Sequence, residues 1–177
     1  STTTFTAGTQ TGTVTIGGAV NASNVQTALT AFQIKIGQTV ASATSSWGNA
    51  VTLNNTGGFV VGTGSNAHTL SVAGAFATPS TGTVSLSGGV TTTGTGTQTY
   101  GAAVVLTGDT ILTTANQNVV LSTTVDGTTA NTQSLTVAAG TGNTTFTGAV
   151  GGTTSLKNIS VTTGALTAAE AKVPRNG

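Results

Sequence analysis

The chain has 177 residues, of which seven are charged, while 44 are Thr, 14 Ser and 26 Gly, and the formal net charge is +1. An average soluble domain is about a quarter charged, and the four cations here, Lys35, Lys157, Lys172 and Arg175, are too few and scattered for a nucleic-acid or anionic-membrane surface. The absence of Cys excludes disulfides and thiolate metal sites, and no apolar run approaches the roughly 20 residues of a membrane helix.

Val, Ile, Leu and Phe are too frequent for a disordered chain, and the length suffices for one domain with a real core. Thr and Val favour strands, Gly and Asn favour turns, and good helix formers are scarce, so the composition predicts an all-β fold. The chain begins at Ser1 with neither Met nor a signal peptide, which reads as mature secreted material or an excised fragment.

Along the chain, the first 16 residues alternate Thr with apolar side chains. A decapeptide follows, TGTVTIGGAV at 11–20, which returns as TGTVSLSGGV at 81–90 and TGNTTFTGAV at 141–150, with a looser relative, QNVVLSTTV, at 117–125. Its alternation puts the apolar residues on one strand face, and its Gly pairs suit a turn or bulge. Residues 23–32 show Val25, Leu29, Phe32 and Ile36 at helical spacing after a Ser23 or Asn24 cap, whereas Phe32, Ile34 and Ile36 alternate as in a strand. A brief helix leading into a strand is expected there. Strands are predicted at 50–53, 59–61 and 69–72, with Pro79 in a turn.

Beyond it, Ile111, Leu135 and Ile159 are 24 residues apart, and Leu121/Phe146 and Val125/Val150 are 25 apart, so that 118–140 aligns with 143–164. Repeats of this length suggest stacked units that bury their apolar faces against one another. The expected fold is a β-solenoid-like stack over 84–165. The alternative is a β-sandwich or jelly-roll, pilin-like domain completed by a donated strand. Residues 1–83 read as an irregular β-rich half with a candidate donor strand at its start, and 166–177 as a cap helix or linker tail.

Chemistry-bearing residues are few. Asp109 and Asp126 lie next to Gly in β-turn settings, and a glycosidase-like carboxylate pair is the minor reading. One Asp per turn cannot supply the 6–8 oxygen ligands of calcium. His68, with no second His or Cys, reads as a surface-loop imidazole. Trp47 and Tyr100 read as core anchors or, alternatively, a sugar-stacking platform. GTGT at 94–97 lacks the strand–helix context of a phosphate loop. Sequons at Asn21, Asn54, Asn143 and Asn158 are what so much Ser and Thr produces by chance. Thr-x-Thr strings, as in ice-binding solenoids, occur but not at the 24-residue period.

At TQTYGAAVVLTGDTILTT (97–114) and SLTVAAGTGNTTFTGAVGGTTSLKNISVTTGA (134–165) the chain resembles the β-strand-repeat surface proteins of bacteria, giant adhesins similar to filamentous haemagglutinin. The resemblance spans roughly 84–165 and implies an extracellular, fibrous, non-enzymatic protein with β-helical stacks. The function expected is thus a structural subunit of an extracellular filament or fibrous surface layer, or a module that binds glycan or host surface. No enzyme activity or cofactor is expected, and the partners are copies of itself or cell-surface glycans. Assembly would run through β-edge pairing or strand exchange, with Phe5, Val14, Ile16 and Val20 as the assembly residues.

Overall fold

A computed structural model describes residues 13–16, 21–22, 27–29, 33–37, 43–53, 57–79 and 82–171. Among them there is no helix, and every ladder between strands is parallel; the one antiparallel contact is an isolated bridge between Thr63 and Asn66. Parallel neighbours 20–25 residues apart in sequence are successive coils, so the chain is a β-solenoid, and the sandwich alternative is excluded.

The coils stack into three ladders, visited in the same order on each pass. The first holds Thr13–Ile16, Gln33–Ile36, Phe59–Val61, the opening residues of Val84–Thr92 and of Val104–Thr114, and Val125–Gly127. The second holds Asn21–Ala22, Ala43–Trp47, His68–Val72, the closing residues of those same two long strands, Ser134–Ala138 and Asn158–Thr162. In the third lie Thr27–Leu29, Val51–Leu53, Phe76–Thr78, Gln98–Tyr100, Val119–Leu121 and the openings of Thr144–Val150 and Leu166–Ala171.

Short alternating segments suit this winding because each strand needs only two inward side chains. Val51 and Leu53, Phe59 and Val61, and Val119 and Leu121 are buried around half-buried middle residues. Each large apolar side chain so buried contributes about 1.5–3 kcal/mol. Phe59, Phe76 and Tyr100 form a chain of tilted ring contacts with centroids 5.8 and 5.7 Å apart, linking coils through the interior.

The long strands turn from the first ladder to the second at a bulge beside Ser87 and Gly88. Gly88 has a φ of 109°, and a Cβ there would sit 2.4 Å from the His68 carbonyl oxygen, so only glycine fits. In the next coil that corner is longer: Leu86 pairs with Leu106 but Gly88 with Thr110.

The structure alters several expectations. Thr27–Leu29 and Gln33–Ile36 are strands, not a helix followed by a strand, because each pairs with the next coil, at Val51–Leu53 and Phe59–Val61. Apolar residues at helical spacing there belong to different ladders. Leu166–Ala171 is a strand rather than a cap helix or linker, with Leu166 on Thr144 and Ala171 on Val150. The 25-residue columns Leu121–Phe146 and Val125–Val150 are real. Ile111 is not in the Leu135 column: Thr110 pairs with Leu135, and Ile111 is 52% exposed. Pairing also continues across residue 83, since Val84–Leu86 stacks on Phe59–Val61.

Candidate functional site

Interior polar groups are organised to hold coils together. Gln98, fully buried, donates from Nε2 to the Val90 carbonyl at 2.9 Å and to the Thr113 carbonyl at 2.8 Å, and its Oε1 accepts from the Tyr100 hydroxyl at 2.8 Å. One amide therefore ties two successive coils of the second ladder to the third. Desolvation pushes the Tyr100 pKa well above its ordinary value. His68 is also buried, in a strand and not a surface loop, with Nε2 2.8 Å from Ser45 Oγ. Sealed from solvent, this pair has no access to a substrate. Trp47 and Tyr100 are core residues, which removes them as a sugar-stacking platform.

The corners use side chains of one coil to accept backbone N–H groups of the next. Asp109 Oδ1 accepts from Ser134 N at 2.8 Å, Asn118 Oδ1 from Asn143 N at 2.8 Å, and Asn116 Oδ1 from Thr141 N at 3.1 Å. Asp126 Oδ1 accepts from Thr153 N and Thr154 N at 2.8 and 3.0 Å. Each carboxylate thus has its own backbone donors, an arrangement for joining coils. Among the described residues no three His, Cys, Asp or Glu group as a metal site would need, and no helix is long and apolar enough to cross a membrane.

On the second ladder, the outward positions form columns of hydroxyls. One runs Thr44, Thr69, Gly89, Ile111, Thr136, Ser160, and the other Ser46, Ser71, Thr91, Thr113, Ala138, Thr162. Gly89, Ile111 and Ala138 interrupt them. Asn143 and Asn158 are exposed, while Asn54 lies outside the described residues.

The surface least like that of a finished globule is the last coil. Asn158–Thr162 pairs with Ser134–Ala138 and Leu166–Ala171 with Thr144–Val150; among the described residues neither strand has a partner on its other edge. Core-facing columns stop here in the open. Leu135 and Val137 are 1% and 0% exposed, but Ile159 and Val161, stacked on them, are only partly buried. Leu166 is 53% exposed above fully buried Thr144. These strands contain no Lys or Pro, and their one charged residue is Glu170. Natural sheets commonly guard free edges with charge, Pro or a covering element.

At the other end, Thr13–Ile16 pairs with Gln33–Ile36 and, among the described residues, with nothing before it. Val14 and Ile16 therefore belong to a strand engaged with their own chain, while Phe5, Val20 and the rest of the candidate donor segment at 1–10 lie outside the described residues. Sequence reasoning missed the Gln98 tie and the open last coil. Gln98 alternating with Tyr100 was the available signal for the first; the second had none, because exposure depends on what lies beyond a strand. No family model, no curated protein and no solved structure matches the chain.

Proposed function

We propose that this protein is a structural component of an extracellular filament or fibrous surface layer, assembling through the edges of its β-stack. The observation that carries this reading is the open last coil, with exposed Leu166 and unpaired strand edges at 158–171, on a chain with seven charges among 177 residues. A solenoid whose terminal coil lacks a polar cap has an outlet for that surface only in another coil. The resemblance of residues 84–165 to repeat-built bacterial surface proteins supports an extracellular, non-enzymatic role. So does the use of Asp109 and Asp126 as coil-joining acceptors.

Of the routes to assembly, stacking of coils is favoured over strand exchange, because release of Thr13–Ile16 would break its ladder with Gln33–Ile36. Negative-stain electron microscopy of the purified protein across a concentration series tests the function. Filaments that lengthen with concentration are expected, and a strictly monomeric population at every concentration overturns it. A second reading, a module that binds cell-surface glycan, draws on the hydroxyl columns of the second ladder and no longer on Trp47. A glycan array with monomeric protein would reveal it.

A further inference from the structure

Resting on that reading, we infer that copies join head to tail, the last coil of one, residues 158–171, serving as the coil that precedes residues 11–20 of the next. Two independent observations lead here. The first concerns the decapeptide. Its second copy stacks on an earlier coil, Val84–Leu86 on Phe59–Val61 and Gly88–Thr92 on His68–Val72. Its third copy does the same, Thr144–Phe146 on Val119–Leu121 and Val150 on Val125. The first copy contains Thr13–Ile16, which pairs forward with Gln33–Ile36 and, among the described residues, has no predecessor. A repeat that twice receives a preceding coil lacks one at its first occurrence.

The second observation is the open last coil, and its geometry matches that vacancy. Asn158–Thr162 ends the second ladder, Leu166–Ala168 the third, and Glu170–Ala171 lies on Ala149–Val150, which continues the first. Thr13–Ile16, Asn21–Ala22 and Thr27–Leu29 begin the first, second and third ladders in that same cyclic order. One parallel register can therefore continue from copy to copy on all three ladders. The six residues that follow Ala171 in this sequence cannot substitute: fully extended they span about 20 Å, whereas a coil here takes 20–25 residues. Only a surface with its own three strand starts covers the end, and this chain's first coil is one.

The contact is heterologous, because the two ends are different surfaces, and it does not close on itself unless the rotation does. Seven strands stack along the third ladder among the described residues. At about 4.8 Å per strand they set a rise of about 34 Å per copy, with the strand spacing running along the filament axis.

The test compares wild type with Leu166→Lys, Ala168→Glu and, as a lateral control, Ile111→Lys. All three positions are exposed in the isolated chain, and circular dichroism melts confirm that each variant folds as wild type does. Head-to-tail stacking predicts at least a tenfold loss of filament mass in sedimentation for both end variants and none for Ile111→Lys. It also predicts a fibre-diffraction reflection near 4.8 Å on the meridian. Filaments of undiminished mass from both end variants, or an off-meridian 4.8 Å reflection, overturn the stacking while leaving the filament function intact. A wild type that never assembles overturns the function itself.

Discussion

Two neighbouring coils of this molecule have nearly the same construction and opposite surroundings. Ser134–Ala138 and Asn158–Thr162 are paired residue for residue, with Leu135 under Ile159 and Val137 under Val161. The first pair is sealed, the second only partly so. Nothing in the residue types separates them, since both are alternating strands with aliphatic inward positions. The difference lies in whether another coil follows. Burial in a solenoid is therefore a property of position in the stack, and the same leucine contributes several kcal/mol inside and little at the end.

The comparison breaks most sharply by truncation. Leu135→Ala should destabilise by about 2–5 kcal/mol, the range for a buried leucine leaving a cavity, whereas Leu166→Ala in monomeric protein should change stability by about 0.5 kcal/mol or less. Urea denaturation of both variants below any assembly threshold measures the contrast. Equal losses would mean that the last coil is as tightly enclosed as its neighbour.

A smaller effect is expected at the interior tie. Tyr100→Phe removes the donor to Gln98 Oε1 and leaves a buried acceptor unpaired, at a loss of about 1–3 kcal/mol. The same substitution sharpens a pH effect. Burial raises the Tyr100 pKa, so the folded state holds the phenolic proton more tightly than the unfolded chain. That contribution is complete below the ordinary value of 10.0 and is lost as pH rises from there toward the raised folded value. Wild type should lose stability in this alkaline window, and Tyr100→Phe should lose less. Since the chain has one Tyr, tyrosinate absorbance should appear only with unfolding.

The smallest expected effect is at a corner. Asp109→Ala deletes an exposed acceptor for Ser134 N, and about 0.5–1 kcal/mol should be lost. Hydrogen exchange would place the change at the Ser134 amide, next to the interior coil of the comparison. Faster exchange spread evenly over the chain would argue against a local coil-joining role.

Much of the stack was legible in the sequence where corners keep constant length. Leu121 with Phe146 and Val125 with Val150 stand in true columns because the residues between them follow the same path in successive coils. Ile111 misled because the corner around Thr107–Asp109 is longer than its counterpart at Ser87, which shifts the strand after it. Spacing counts residues and does not say where a loop absorbs them. Leu29 and Ile36 misled differently: short strands separated by corners reproduce helical spacing without a helix. The Gln98 tie was half visible, as its alternation with Tyr100 marks one face, but its carbonyl partners come from other coils.

Both near-ultraviolet reporters of this chain are single and buried, Trp47 in an early coil and Tyr100 in a middle one. Stacked proteins can unravel from an end, with each layer released in turn. Tryptophan emission and tyrosine absorbance would then follow separate melting curves if the early layers fray first, and a common curve if the whole column lets go at once. The protein carries its own two-colour gauge of cooperativity, with no label needed.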